Sequence, residues 1–117
     1  MLLGTFDTKG REYSFLRERL AALGVQCVLV DAGVYKPVGV TPDVTNDRVA
    51  EAGGSTRAEL MAAGRGAAVE AMARGATRVV SDLLAEGRLD GIVALGGSGG
   101  SAVATAAMRD ASKPAWL

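Results

Sequence analysis

A run of glycines and serines follows an apolar segment near the end of the chain. The residues Gly96–Ser101, with the sequence GGSGGS, come directly after the apolar segment Gly91–Leu95. Where a strand leads into a helix, the first backbone N–H groups of the helix have no partner within it and carry partial positive charge. Glycines let an anion approach these groups without meeting a side chain, and serine hydroxyls are further donors. The predicted phosphate-binding residues of this run are Gly96, Gly97, Ser98, Gly99, Gly100 and Ser101.

The spacing of the glycines in this run can be compared with two known phosphate-binding patterns. No Lys-Ser or Lys-Thr pair follows the glycines, so the run is not a Walker A phosphate loop. Gly97, Gly99 and Ala102 match the looser G-x-G-x-x-A dinucleotide pattern, but no acidic residue stands about 20 positions further on to bind a ribose. The alternative to phosphate binding is that the glycines only allow a tight turn and close packing of the next helix.

A second polar segment, Thr5–Gly10, follows the short apolar segment at the start of the chain. Its hydroxyls can donate to phosphate oxygens, its ammonium group neutralises phosphate charge, and its carboxylate can hold Mg²⁺ directly or through water. The alternative is a helix cap by Asp7 or Thr8 beside a solvated lysine. The predicted phosphate ligands of this segment are Thr5, Asp7, Thr8 and Lys9, with Asp7 also as the metal ligand.

Asp31 closes the apolar run Val25–Val30 and is a candidate ligand for a ribose hydroxyl. The alternative is that Asp31 caps the turn that it forms with Ala32 and Gly33. Cys27 lies within the apolar run and is predicted to be an inert thiol of the core. The sequence assigns no role to three further polar residues, Tyr35, Lys36 and Asp43.

Apolar periodicity predicts the elements that position these residues. Strands alternate with helices, which favours an α/β protein with a parallel sheet and right-handed crossovers. Gly24 and Gly87 are predicted to end helices. The predicted elements are a strand at Leu2–Thr5, a helix at Arg11–Leu23, a strand at Val25–Val30, a short helix capped by Thr45, a long helix with an apolar stripe from Val69 to Leu84, a strand at Gly91–Leu95, a helix from about Ser101 to Arg109 and a fourth strand opening at Pro114.

The predicted fold is a Rossmann-like open parallel sheet flanked by helices, with the strand order 2-1-3-4. In this order the first and third strands lie side by side, while the chain leaves them in opposite directions. Ligands bind in the crevice that opens there, at the carboxyl ends of the strands. Both polar segments border that crevice, so we expect them to form one site.

The composition excludes several classes of function. The 13 basic and 13 acidic side chains cancel and the pI is about 6.2, so no surface charge is suited to nucleic acid or to an anionic membrane. Without His, a Ser-His-Asp triad and a His-bearing zinc site are excluded. The single cysteine excludes an internal disulfide and fits a reducing compartment. With no apolar stretch of membrane-spanning length and no secretory signal, the predicted location is the cytoplasm.

The 117 residues correspond to one predicted nucleotide-binding domain, residues 1–117. Three strands are complete and a fourth only begins, so we expect the front portion of a larger α/β domain, without a second domain. A sheet this short leaves an edge or an apolar face that association can cover. We therefore expect a homo-oligomer, specifically a dimer.

In the order of its motifs, the chain resembles the family of the ATP-binding N-terminal domain of the tomato mosaic virus resistance protein and its bacterial and fungal relatives. The segments that carry the resemblance are Gly4–Gly10, Asp31–Gly33, Pro42–Val44, Gly64–Met72, Gly87–Gly91 and Gly96–Gly100. The resemblance implies a Rossmann-like domain that binds ATP with Mg²⁺, often as a dimer. Members of that family continue through further strands and commonly into a second domain.

The predicted function is the binding of ATP, or of another nucleotide, with its phosphates on Gly96–Ser101 and Thr5–Gly10 and with Mg²⁺. Turnover is not predicted, because no base positioned to activate water is evident. One alternative is an enzyme that acts on another phosphorylated or carboxylated small molecule, with Lys9 or Asp7 as the reactive group. Another is a non-catalytic assembly or protein-interaction module in which the glycines serve packing alone.

Overall fold

A computed structural model describes residues 1–109 and 115–116 of the chain, apart from the side chain of Ser98 and those of residues 115 and 116. Strands and helices alternate along the first and last thirds of the chain, and three helices follow one another between them. The elements are β1 (Leu2–Gly4), α1 (Phe6–Ala22), β2 (Leu29–Asp31), α2 (Asn46–Ala52), α3 (Arg57–Ala63), α4 (Arg65–Ala85), β3 (Ile92–Val93), α5 (Ser98–Arg109) and β4 (Ala115–Trp116).

The strands form one parallel sheet in the order β2-β1-β3-β4. Leu2 of β1 pairs with Leu29 of β2 on one side and with Val93 of β3 on the other. The predicted α/β class and strand order are therefore confirmed. The predicted fourth strand is present at Ala115–Trp116, while Pro114 lies outside the described residues.

Alternate residues of the strands face two separate apolar clusters, because successive side chains of a strand point to opposite faces of the sheet. Leu3, Val30 and Ile92 face the larger cluster, which is formed with α2, α4 and α5. Leu2 and Leu29 face the smaller cluster, which is formed with α1. The sheet is thus covered by helices on both faces.

The first helix begins at Phe6 rather than at the predicted Arg11. The Thr5 carbonyl accepts from the Lys9 N–H at 3.0 Å, which closes the first helical turn. Lys9 itself has non-helical angles, φ −123° and ψ 16°, and marks a kink. A Cβ at the next residue, Gly10, would overlap the Val38 carbonyl oxygen. The polar segment predicted as a loop is therefore the kinked start of α1, held against a neighbouring segment of the chain.

The second strand is shorter than the predicted Val25–Val30, with three residues, Leu29–Asp31. Its partner β1 also has only three residues, so pairing ends where β1 ends. Val25 is exposed. Apolar residues before the strand therefore do not belong to the sheet.

The glycine run also differs from its prediction, because α5 begins at Ser98 instead of about Ser101. Gly99 and Gly100 thus belong to the first turn of a helix. The short helix capped by Thr45 is confirmed as α2, whose Thr45 hydroxyl accepts from the Arg48 N–H at 3.4 Å. Helix α3 was not predicted, and the Thr56 hydroxyl caps it by accepting from the Glu59 N–H at 3.2 Å.

Helices α2 and α4 approach each other so closely that their contact has room only for glycine. A Cβ at Gly75 would overlap the Val49 carbonyl oxygen, and one at Gly53 would overlap the Ala71 carbonyl oxygen. Glycine has a low helix propensity, so Gly75 by itself would weaken α4. The structure shows instead that it allows α2 to pack on α4.

Candidate functional site

A cavity of about 550 Å³ opens at the carboxyl ends of β1 and β3. The starts of α1, α4 and α5 surround it, together with α3 and the segment after β2. This is the crevice expected for an open sheet of this strand order. Its lining residues are Thr5, Asp7, Thr8, Ala32, Gly33, Val34, Tyr35, Leu60, Met61, Gly64, Arg65, Ala68, Val69, Met72, Gly97, Gly99, Gly100 and Val103.

One end of the cavity is formed by the start of α5. Gly97, Gly99 and Gly100 line it, and the Gly97 carbonyl accepts from the Ser101 N–H at 2.9 Å to close the first turn. The N–H groups within that turn have no acceptor inside the helix, as in any helix start. Gly96 lies behind the lining, where a Cβ would come within 3.3 Å of the Gly100 Cα. The Ser101 hydroxyl donates to the Gly96 carbonyl at 3.4 Å, so both residues shape the turn rather than line the cavity.

Arg65, the first residue of α4, adds a positive charge to this end. Its Nη2 atom lies 3.6 Å from the position that a Cβ at Gly99 would occupy. Among the described residues, no hydrogen bond or ion pair engages its guanidinium group. A guanidinium has a fork of donors that suits phosphate. The glycine N–H groups and Arg65 can therefore act on the same anion.

Arg65 is not among the predicted ligands, because it lies far along the chain from both predicted segments. Gly64 brings it to the cavity, with a φ of +97° that other residues rarely adopt and that turns the chain from α3 into α4. The glycine before the long apolar stripe was the one available signal.

The hydroxyls of Thr5 and Thr8 lie beside the glycine end. Their Oγ1 atoms are 2.9 Å apart, and Thr8 also donates to the Thr5 carbonyl at 3.3 Å. Thr5 Oγ1 lies 3.8 Å from the position of a Cβ at Gly100. The structure thus brings the two predicted polar segments together through these residues.

Lys9, unlike Thr5 and Thr8, does not line the cavity. It lies at the kink of α1 and is half-buried. Among the described residues that line the cavity, the cationic side chain is that of Arg65, and the predicted Lys9 is not one of them.

Two carboxylates, Asp7 and Asp31, meet beside Gly33. A Cβ at Gly33 would lie 2.9 Å from Asp7 Oδ1 and 3.1 Å from Asp31 Oδ1. Asp31 is fully buried, and its Oδ1 accepts from the N–H groups of Gly33 at 2.8 Å and Phe6 at 3.1 Å. Asp7 Oδ2 accepts from the Tyr35 N–H at 3.3 Å. Asp31 therefore caps the turn after β2, as one of its two predicted roles required, while Asp7 reaches the cavity.

Each carboxylate keeps one buried oxygen without a partner among the described residues, Asp7 Oδ1 and Asp31 Oδ2. Burial raises the pKa of Asp31 from its ordinary value to about 6, and the nearby charge of Asp7 also raises it. The two N–H donors and the more distant Arg57 act in the opposite direction. The pair thus places a carboxyl group with a pKa of about 6 beside the residues that line the cavity.

This shift predicts that the stability contributed by Asp31 falls as the pH rises. The folded protein holds a proton on Asp31 up to about pH 6, whereas the unfolded chain releases it near pH 4. Between these values the folded state binds more protons, so raising the pH favours unfolding. The Asp31→Asn variant has no titratable group at this position. We therefore expect its free energy of unfolding, relative to that of wild type, to rise by roughly 2 kcal/mol from pH 4 to pH 7.5. Urea denaturation at both pH values measures this, and equal pH dependence of the two proteins would contradict the shift.

The other end of the cavity is apolar. Leu60 and Met61 of α3 line it together with Met72 of α4, and Tyr35 of the same lining has 62% of its surface exposed. Such a lining suits a flat, apolar or aromatic group better than a charged one.

Side chains fix the segment that carries Tyr35. The Tyr35 carbonyl accepts from Asn46 Nδ2 at 2.9 Å, and the Val34 carbonyl accepts from Arg57 Nη1 at 3.4 Å. Asp47 holds Arg57 with an ion pair of 2.6 Å and raises its pKa. Hydrogen bonds from side chains therefore hold in place the segment that forms the cavity wall after β2.

The remaining polar candidates lie outside the cavity. The Asp43 carboxylate accepts from the Leu29 N–H at 2.8 Å and so anchors β2. Lys36 is exposed and does not line the cavity. Cys27 is half-buried, lies before β2 and packs against the cluster under α1. Within residues 1–109 and 115–116, no group of three or more metal-binding side chains occurs.

Comparison with known proteins gives a consistent result. Residues 1–114 match the family described as "Uncharacterised protein family (UPF0261) N-terminal domain". A UPF0261 protein of Clostridium tetani is 37% identical over 110 residues, which are 93% of this chain and 27% of that protein. A UPF0261 protein of Rhizobium meliloti is 38% identical over 109 residues, covering 92% and 26%. One from Brucella melitensis is 35% identical over 105 residues, covering 89% and 25%.

These matches overturn the resemblance drawn from the motifs. The matching family and the relatives carry the UPF0261 description, and none of them is described as an ATP-binding domain of the tomato mosaic virus resistance protein family. UPF0261 therefore replaces that assignment.

The chain spans about a quarter of the length of the curated relatives that it matches. No solved structure matches it. In the part of the chain that the structure describes, none of the helices has both the length and the apolar character needed to cross a membrane.

Proposed function

We propose that this chain, which belongs to the UPF0261 family, binds a phosphorylated small molecule in the cavity at the carboxyl ends of β1 and β3, with ATP and Mg²⁺ as the first candidates. The observation that carries the proposal is the convergence of the start of α5 with the guanidinium of Arg65, which has no partner among the described residues, at one end of the cavity. Unpaired N–H groups and a cation that face the same space favour an anion there.

The shape of the rest of the cavity supports a nucleotide over a bare phosphate. The apolar end around Leu60, Met61 and Tyr35 has room for a ring, and the polar end receives phosphates. Nucleotide sites commonly combine an apolar wall with a few convergent polar groups.

The residues at the polar end also fit a magnesium ion. Mg²⁺ is usually held by one or two carboxylates together with phosphate oxygens and water. Asp7 lines the cavity with a carboxylate, and Thr5 and Thr8, whose hydroxyl oxygens are 2.9 Å apart, line it as well. These residues would hold the ion, which when bound neutralises phosphate charge.

Calorimetric titration of the protein with ATP and MgCl₂ tests the proposal. We expect saturable binding, and a loss of affinity of about 10-fold in Gly99→Val, because its side chain would stand between Arg65 and the helix start. Ala102→Val is the matched control, since Ala102 is exposed on the same helix and lies away from the cavity. Absence of binding at millimolar ATP, or equal affinity of Gly99→Val and wild type, would contradict the proposal.

The same titration separates the alternatives. If inorganic pyrophosphate or a carboxylated metabolite binds more tightly than ATP, the polar end serves a different anion, and an enzyme becomes the better interpretation. If no anion binds or raises the melting temperature, the glycines serve packing alone, because a ligand of the folded state must stabilise it.

The proposal also covers the location and the oligomeric state of the protein, which are argued from residues outside the cavity. The protein is proposed to act in the cytoplasm, in line with its single cysteine. It is also proposed to form a homodimer, for which the exposed apolar side chains of Phe15 on α1 and of Leu23 and Val25 beyond it offer a surface. No nucleic acid or membrane partner is proposed.

A further inference from the structure

The hydroxyl of Tyr13 lies between β1 and the segment that leads from β3 to the glycine run. Tyr13 belongs to α1 and is completely buried. Its Oη atom accepts from the Leu95 N–H at 2.6 Å and lies 2.7 Å from the Leu3 carbonyl oxygen, to which it donates. The Leu95 carbonyl oxygen, at 2.9 Å, is a second acceptor for the same proton.

The Tyr13 hydroxyl replaces a direct backbone hydrogen bond between the two segments. The Val93 N–H donates to the Met1 carbonyl at 3.0 Å, and in a parallel ladder the next such bond would join the Leu95 N–H to the Leu3 carbonyl. Those are the two groups that Tyr13 Oη links. The hydroxyl therefore stands inside the ladder, and it separates the two strands at their carboxyl ends while keeping both groups hydrogen-bonded.

The neighbouring residues are adapted to this arrangement. A Cβ at Gly4 would overlap the Tyr13 hydroxyl, so a residue with a side chain at this position would displace it. The Phe6 ring packs on the Tyr13 ring with their centroids 4.9 Å apart. Burial raises the pKa of Tyr13, so the phenol is protonated at neutral pH and has a proton to donate.

The separated strand ends lead directly into the cavity. Gly4 is followed by Thr5, and Leu95 by the glycine run, whose Gly100 comes close to Thr5. From these contacts we infer that Tyr13 is a positioning residue of the ligand site: its hydroxyl spaces β1 from the β3–α5 segment and so sets the width of the anion-binding end. This inference rests on the proposed binding of a phosphorylated ligand.

Tyr13→Phe tests the inference, because it keeps the ring and removes only the spacing hydroxyl. We expect the affinity for ATP with MgCl₂, measured by calorimetry on fully folded protein, to fall about 10-fold. We also expect the Leu95 amide to exchange at least 10-fold faster than in wild type, beyond any change at Val93 of the preceding strand β3, because the Leu95 amide loses its acceptor.

Val80→Ala is the control for a general loss of stability. Val80 is buried in α4 and does not line the cavity, so this variant should be destabilised and still bind with wild-type affinity. Affinity of Tyr13→Phe within twofold of wild type, or equal acceleration of exchange at Leu95 and Val93, would overturn the inference.

The two readouts keep this inference separate from the proposed function. If wild-type protein binds no phosphorylated ligand, the proposed function fails and Tyr13 positions no ligand site. The Leu95 exchange then still shows whether the hydroxyl is the acceptor that protects the Leu95 amide. If wild type binds and Tyr13→Phe binds equally well, the proposed function stands and the positioning role alone is excluded.

Discussion

Replacing Gly75 with alanine is expected to lower the free energy of unfolding by about 3 kcal/mol or more. The added Cβ would overlap the Val49 carbonyl oxygen of α2, which is a backbone atom and cannot turn away as a side chain does. Helix α2 must then move off α4, and the buried side chains of Val49 and Ala50 lose their packing. Urea denaturation followed by circular dichroism measures the change as a lower midpoint.

Gly66→Ala is the matched control for Gly75→Ala, because both glycines belong to α4. Nothing lies within 4 Å of a Cβ at Gly66, so alanine there should leave stability unchanged or raise it by up to about 1 kcal/mol through its better helix propensity. Equal free energies of unfolding for Gly75→Ala and Gly66→Ala would contradict the close contact between α2 and α4.

Replacing Arg65 with methionine is expected to weaken the binding of ATP with MgCl₂ about 100-fold, which corresponds to about 2.7 kcal/mol. Arg65 is the one cationic side chain among the described residues that line the cavity, and it faces the start of α5. A charge-assisted hydrogen bond to phosphate would be lost, and the helix start alone would hold the anion. Calorimetry at constant ionic strength measures the change.

Lys9→Met removes the same charge from the residue that the sequence had suggested. Because Lys9 does not line the cavity, we expect this variant to bind within about twofold of wild type. A larger loss in Lys9→Met than in Arg65→Met would restore the sequence-based assignment and contradict the site described by the structure.

The fold could be predicted because its signals are local. The apolar runs Val25–Val30 and Gly91–Leu95 indicated buried parallel strands, which the structure has at Leu29–Asp31 and Ile92–Val93, and glycines after the helices indicated where the helices end. Gly24 and Gly87 do have positive φ, of 82° and 71°. The start of α1 was missed because Thr5–Gly10 has one apolar residue and no helical periodicity, so the pairing of the Thr5 carbonyl with Lys9 has no sequence signal.

The sequence predicted the edge of the sheet at which the cavity lies, but not all of the residues that line it. Glycines after β3 and hydroxyls after β1 meet because parallel strands end at the same edge of a sheet. Arg65 comes from a distant turn, and its role depends on the angle at which α4 follows Gly64. The burial of Asp31 and the place of Tyr13 inside the ladder depend equally on packing, which no local pattern encodes.

The central claim is that a phosphorylated ligand binds at the start of α5 beside Arg65. Amide NMR spectra of the ¹⁵N-labelled protein, titrated with ATP and MgCl₂, test this most directly because they report each backbone N–H separately. The predicted result is that the largest shifts occur at Gly97, Gly99 and Gly100 and at the Arg65 side chain. Shifts confined to other parts of the chain, or no shifts at millimolar ATP, would contradict it.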